Sequence, residues 1–128
     1  ATLSLKDKLR LKEQRLEIGR TFVAEVKQIV PILGWAFSGS MIADMQRFGI
    51  NSDLDIEILI DDVDARTERN IFYWTFVFLK WKYAEEFGIK VDVSYISLKF
   101  ARTMALREPR FVDYCKNKFN IDITEIKR

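Results

Sequence analysis

The chain contains no histidine and only one cysteine, Cys115, among its 128 residues. Histidine is the usual general base near neutral pH and the commonest protein ligand of transition metals. A single cysteine can neither close a disulfide within the chain nor supply a zinc cluster. Any chemistry therefore falls to carboxylates, hydroxyls, lysine or arginine, and we expect Cys115 to be a packed thiol.

Long runs of one residue class are also missing. The net charge of +2 comes from 21 basic and 19 acidic residues that are interspersed, so strong nucleic-acid binding is not indicated. The most apolar run, from Ile71 to Leu79, is too short to cross a bilayer, and residues 1–20 are too densely charged for a signal peptide. We therefore expect a cytoplasmic protein without a membrane segment.

The composition that remains, 48% hydrophobic and 31% charged, is typical of a globular domain. We predict one domain over residues 1–128, with an N-terminal helical segment (1–30), a central core (35–96) and a C-terminal helical segment (97–128). Apolar residues recur at helical spacing in the first segment, which predicts a long amphipathic helix broken near Gly19. Its apolar positions include Leu9, Leu16, Val23, Val26 and Val30.

The central segment has the patterns of three strands. The first is short, at residues 35–37, and the second alternates apolar and acidic residues from Asp53 to Ile60. The third, residues 90–96, places Val91 and Tyr95 on one face and Asp92 on the other. Helices are predicted from Met41 to Arg47, from about residue 65 to 87, and after Ser97 and Pro109. The predicted class is α+β, a small mixed β-sheet flanked by helices.

The middle of the predicted 65–87 helix is apolar on nearly every face, which indicates a helix sandwiched in a core or covered by a partner. Aromatic side chains at helical spacing are more often core residues than a platform for stacking bases. We therefore expect these aromatic residues to lie in the core: Phe72, Tyr73, Trp74, Phe76, Phe78 and Trp81.

Acidic residues interrupt the second strand. Asp53 and Asp55 lie two positions apart, so they share a face with Cα atoms roughly 6.5 to 7 Å apart. If the third strand is the neighbour, Asp92 joins them as a third carboxylate. Such a cluster is unfavourable unless it is solvated, protonated or neutralised by cations, and its oxygen-only ligands favour Mg²⁺ or Mn²⁺. The alternative is the polar face of a solvated strand, and Glu57 is expected to be structural.

A second candidate element precedes the carboxylates. Gly39 and Ser40 form a turn before the predicted short helix, where backbone N–H groups can receive phosphate oxygens and the Ser40 hydroxyl can donate. A nucleophilic displacement at phosphorus needs divalent metal ions on one side of the site and phosphate-binding groups on the other. Neither the P-loop motif nor the dinucleotide-binding GxGxxG motif is present.

Gly39-Ser40, twelve intervening residues, Asp53-Leu54-Asp55 on a strand and Asp92 in the next VDV segment together resemble the signature of the DNA polymerase beta-like nucleotidyltransferases. The resemblance spans about residues 35–96 and is strongest to the minimal, single-domain members. Relatives often have an arginine and a glycine soon after Gly-Ser, whereas residues 41–45 here read MIADM and Arg47 follows. The implied fold is the nucleotidyltransferase fold.

By this resemblance, Asp53 and Asp55 hold two divalent ions, Asp92 completes the second metal site and helps to deprotonate the acceptor, and Gly39 and Ser40 bind the triphosphate. The implied reaction transfers a nucleoside monophosphate from an NTP, with ATP the expected donor, to an acceptor hydroxyl. Minimal members often act as antitoxins that modify a helical, HEPN-like toxin, so such a partner or a homodimer is implied. Two alternatives stay open: a binding or regulatory module of the same fold without catalysis, and a purely structural oligomer.

Overall fold

Three strands form one mixed sheet in the order β1-β2-β3 in the computed structural model, which describes residues 3–126. Residues 1, 2, 127 and 128 of the predicted domain lie outside the described part. Strand β1 (Ile32–Ser38) pairs antiparallel with the central strand β2 (Leu54–Ile60), and β2 pairs parallel with β3 (Val91–Ser97). The predicted class, α+β with a small mixed sheet and helices, is confirmed.

Helices account for most of the remaining chain. A π-helical segment, Ile71–Val77, joins α3 to α4, so residues 65–87 form one continuous helical run. Side chains cap three of the helices: Ser4 caps α1, Asp64 caps α3 and Ser97 caps α5. The helices are α1 (Leu5–Lys27), α2 (Ser40–Ala43), α3 (Ala65–Asn70), α4 (Phe78–Phe87), α5 (Leu98–Arg107) and α6 (Arg110–Phe119).

Each face of the sheet borders its own apolar cluster, because residues of β2 point alternately to the two sides. Ile56 and Ile58 pack with Phe22 of α1 and with the helical run 65–87. Leu59 packs on the other side with α5, α6 and the chain that follows them, including the buried Cys115. The expectation of a packed Cys115 thiol is confirmed, and burial raises the pKa of that thiol.

Two predicted helices differ from their expected form. Helix α1 is continuous through Gly19, where a Cβ atom would lie 2.3 Å from Cε1 of Phe37, so this glycine permits close packing and does not break the helix. Helix α2 ends at Ala43, well before Arg47. The Lys8 ammonium donates to the carbonyls of Met45 and Gln46, both at 2.8 Å, and this contact with α1 holds the following turn.

The prediction that the aromatic residues of the 65–87 run lie in the core is wrong for five of the six. Only Phe76 is buried, where its ring stacks on Tyr95 at 5.1 Å between centroids. The run packs on the sheet through Ile71, Phe76, Leu79 and Tyr83, and its opposite face points away from the protein. The exposed aromatic residues are Phe72, Tyr73, Trp74, Phe78 and Trp81.

Helix α1 is tied to α4 by the Glu25 carboxylate, which accepts hydrogen bonds from Lys82 Nζ at 2.8 Å and Tyr83 Oη at 2.5 Å. Burial opposes ionisation of Glu25, but the hydrogen bonds from Lys82 and Tyr83 outweigh it and lower its pKa. A lowered carboxyl pKa stabilises the folded state above the unfolded-state pKa, and this stabilisation is lost as the pH falls through the folded-state pKa.

We therefore expect Glu25→Gln to lower the free energy of unfolding by about 1 kcal/mol near neutral pH, because the pair is partly solvent-screened. The difference from wild type should disappear at a pH below the lowered folded-state pKa of Glu25, where Glu25 of the wild type is itself protonated. Urea unfolding near neutral pH and in acid measures this difference in stability. Glu17→Gln, on the exposed face of the same helix, is the control and should change stability at neither pH. A difference that persists in acid would contradict this assignment.

Candidate active site

The sheet brings the three predicted carboxylates together. Asp55 of the central strand β2 lies in register with Asp92 of β3, and Asp53 precedes β2 on the same face as Asp55. One carboxylate oxygen from each residue lies within 4.8 Å of the other two. Asp53 and Asp55 are half-buried, whereas Asp92 is exposed. The prediction that strand pairing would assemble this cluster is confirmed.

Gly39 and Ser40 lie at the same end of the sheet. Ser38 at the end of β1 pairs with Asp55, so the turn at Gly39 passes directly beside that carboxylate. A Cβ atom on Gly39 would lie 1.9 Å from Oδ2 of Asp55, and Gly39 has a φ of 75°, in the region that favours glycine. This position therefore requires glycine for both space and backbone conformation, and Ser40 begins α2 immediately after it.

An open cleft of about 550 Å³ connects these elements. Gly39 and Ser40 line one side, and Asp53 and Asp55 line another. Its remaining lining residues are Ala43, Asp44, Arg47, Asn51 and Ser52. A volume of this size is within the range of small-molecule sites in proteins. Among the described residues that line the cleft, Arg47 is the one with a cationic side chain.

The cluster concentrates negative charge with little compensation. Burial, followed by the charges of Asp92 and Asp53, raises the pKa of Asp55, while Lys90 partly opposes this shift. Among residues 3–126 the cation that pairs with the cluster is Lys90, whose Nζ lies 3.7 Å from Oδ2 of Asp53, but its side chain is 70% exposed and therefore weakly held. A cation bound between the three carboxylates would relieve the repulsion far more effectively.

Sequence reasoning missed Arg15, which positions the loop before Asp53. Arg15 is buried on α1, and its guanidinium donates to the carbonyls of Ser52 at 2.7 Å and Ile50 at 2.6 Å. Burial lowers the pKa of Arg15, and the charge of Asp53 opposes that shift. The available signal was its spacing, because Arg15 lies on the same helix face as the buried Phe22 and Val26.

Arg15→Met should retain the packing of the side-chain stem and leave two carbonyls without their charged donor. We expect the free energy of unfolding to fall by about 2 kcal/mol, and amide exchange across residues 49–53 to become faster. Urea unfolding and hydrogen exchange measure the two effects. Arg10→Met, at an exposed position of the same helix, is the control and should change neither quantity. Unchanged exchange in the Arg15 variant would show that Arg15 does not hold this loop.

Other acidic residues have structural partners. Glu57 forms an ion pair with Lys118 at 2.8 Å, in agreement with the prediction that it is structural. Asp64 caps α3, and Asp62 accepts a hydrogen bond from the backbone N–H of Lys99 at 2.8 Å. Among the residues that the structure describes, one cluster contains three or more side chains close enough together to hold a metal ion. It consists of Asp53, Asp55 and Asp92.

Comparisons with known proteins give no match for this chain, whether with protein-family models, curated proteins or solved structures. Within residues 3–126, no helix is long and apolar enough to cross a membrane. The structure is a small α+β fold with an acidic cluster beside a glycine turn at one end of a mixed sheet.

Proposed function

We propose that this chain is a divalent-metal-dependent nucleotidyltransferase that transfers a nucleoside monophosphate from an NTP to an acceptor hydroxyl. The observation that carries the proposal is a cluster of three carboxylates within 4.8 Å of one another, two of which, Asp53 and Asp55, line a cleft that the Gly39-Ser40 turn also lines. Either element alone is common. Their convergence supports the function because phosphoryl chemistry needs a cation site beside a phosphate site.

The carboxylate cluster fits Mg²⁺ or Mn²⁺ in its chemistry. Its three ligand groups supply oxygen only, which hard divalent cations prefer, and histidine and cysteine are absent from it. Burial raises the pKa of Asp55, and the neighbouring charges of Asp92 and Asp53 raise it further, so a bound cation would be favoured here. Asp53, Asp55 and Asp92 would hold the metal, which would neutralise charge on the phosphates and on the attacking and leaving oxygens.

The protein's own residues have distinct roles in this proposal. Gly39 lets the turn lie directly against the Asp55 carboxylate, where a side chain would clash, so that the backbone of the turn can bind phosphate beside the metal ligands. Ser40 donates a hydrogen bond to a phosphate oxygen. Asp92, the most exposed of the three carboxylates, faces the acceptor and accepts the proton of its hydroxyl. The acceptor oxygen then bonds to the α-phosphorus, and the bond from that phosphorus to pyrophosphate breaks.

Label transfer tests the reaction even though the acceptor is unidentified. The protein is incubated with Mg²⁺, an extract of the cells that make it, and an NTP labelled at either the α- or the γ-phosphate. Each of the four NTPs is tested, with ATP the expected donor. Nucleotidyl transfer places the α label on an acceptor and leaves the γ label in pyrophosphate, so only the α label should become acid-insoluble.

The Asp55→Asn variant is the matched control, because it keeps the shape of the side chain and removes one ligand charge. We expect label transfer to fall by at least ~100-fold in this variant. Transfer of the γ label would instead indicate a phosphotransferase. Absence of transfer from every NTP, or transfer that persists in Asp55→Asn, would contradict the proposed function.

A further inference from the structure

The helical run 65–87 exposes an apolar face that nothing in residues 3–126 covers. The exposed fractions are 63% for Tyr73, 73% for Trp74 and 61% for Trp81. Ring contacts join Phe72 to Tyr73 and Phe78 to Trp81. We call the exposed apolar side chains of this face the aromatic patch: Phe72, Tyr73, Trp74, Val77, Phe78 and Trp81. Because large apolar patches are rare on monomers, a surface of this kind marks an interaction site.

The size of the aromatic patch matches what a dimer needs. With about 150–250 Å² per aromatic side chain, the exposed fractions correspond to about 600 Å² of apolar surface. A stable interface of standard size removes about 800 Å² from each partner. The patch together with the polar residues at its two ends therefore provides enough area for one helix-to-helix interface.

One row of residues on this face is arranged symmetrically about Val77. Arg69, Tyr73, Val77, Trp81 and Glu85 follow one another at four-residue intervals along the run. Because the π-helical segment Ile71–Val77 turns less per residue than an α-helix, it offsets the drift of this row around the α-helical parts, and we call the row the exposed ridge. All five are exposed. Tyr73 and Trp81 are equally far from Val77, as are Arg69 and Glu85, so the two ends of the ridge carry opposite charges.

This arrangement is self-complementary in the antiparallel orientation. A two-fold axis near Val77 places Tyr73 of one copy opposite Trp81 of the other, and Arg69 opposite Glu85. Neither Arg69 nor Glu85 forms an ion pair within residues 3–126, so both remain available for this contact. We propose that the exposed ridge binds a second copy of this chain in an antiparallel, two-fold symmetric helix pair.

Sedimentation velocity of the purified protein from about 1 to 100 µM tests the association. We expect a dimer, and we expect Trp81→Glu to raise its dissociation constant by at least ~100-fold, because a charge replaces a central aromatic residue. Leu106→Glu is the control, since Leu106 is 87% exposed but lies on α5, away from the ridge. A wild-type chain that stays monomeric overturns the proposal, including one that binds lipid vesicles or another helical protein instead.

A charge exchange tests the antiparallel register. Arg69→Glu places two acidic pairs across the interface, and Glu85→Arg places two basic pairs, so each variant alone should dimerise at least ~10-fold more weakly than wild type. A mixture of the two variants restores both opposite-charge pairs and should form a heterodimer of near wild-type affinity. A mixture no tighter than either variant alone overturns the proposed pairing. The measurement involves no nucleotide, so its outcome is independent of the proposed catalytic function.

Discussion

Asp55→Asn should abolish the stabilisation of the protein by Mg²⁺ and leave the metal-free protein at least as stable as wild type. A ligand that binds only the folded state at 100 times its dissociation constant stabilises that state by about 2.7 kcal/mol. The wild type should show a gain of this size, and the variant should show none. Thermal unfolding with and without Mg²⁺ measures both effects.

The same substitution should change the pH dependence of the metal-free protein. Burial and the neighbouring Asp92 and Asp53 raise the pKa of Asp55, so the folded state binds a proton more readily than the unfolded state. The stability of the wild type should therefore fall as the pH rises from the unfolded-state value of 3.8 through the raised folded-state pKa. The amide that replaces this carboxyl group in the variant does not titrate. The fall in stability with rising pH should therefore disappear in the variant.

Glu57→Gln is the matched control for these experiments. Glu57 lies on the same strand and the same face as Asp55, two residues further along, but it pairs with Lys118. We expect the Mg²⁺-dependent gain in stability to persist in this variant. If Asp55→Asn lost stability and kept the full response to Mg²⁺, the carboxylate would be structural and the metal would bind elsewhere.

Gly39→Ala should destabilise the protein and disrupt the site at the same time. The new Cβ atom would lie 1.9 Å from Oδ2 of Asp55, and the backbone φ of 75° disfavours alanine. A clash of this severity forces either the β1 turn or the Asp55 side chain to move. We expect the free energy of unfolding to fall by about 2 to 3 kcal/mol, and the Mg²⁺-dependent gain in stability to be lost.

Gly49→Ala provides the comparison, because no atom lies within 4 Å of a Cβ built there. Alanine at such a position restricts the unfolded chain and changes stability by less than about 1 kcal/mol. Urea unfolding of the two variants, with and without Mg²⁺, separates loss of the site from loss of the fold. Equal stability of Gly39→Ala and wild type would mean that the turn adapts freely and does not constrain Asp55.

Much of the sheet was predictable because its information is local. Alternation in residues 53–60 and 90–96 identified two strands and the face on which Asp53, Asp55 and Asp92 lie. The pairing of β2 with β3 was a condition of the prediction, and the register of Asp55 with Asp92 meets it. Periodicity is sufficient here because each carboxylate lies in, or directly before, a strand whose apolar side is fixed by the core.

The features that escaped prediction depend on distant parts of the chain. Spacing places Arg15 on the buried face of α1, but only the approach of the Ser52 carbonyl shows that Arg15 holds the loop before Asp53. The turn after the early end of α2 is held by Lys8, more than thirty residues away. The exposure of Trp74 and Trp81 reflects which side of the 65–87 run meets the sheet, and a run that is apolar all round does not indicate that side.

Calorimetric titration of the protein with ATP, GTP, CTP and UTP, each with and without Mg²⁺, tests the central claim most directly. We expect at least one nucleotide to bind only with Mg²⁺, and this binding to be lost in the variant that carries both Asp53→Ala and Asp55→Ala. That result would locate a metal and triphosphate site at the carboxylate cluster. No binding of any nucleotide, or binding that the double variant retains, would contradict it.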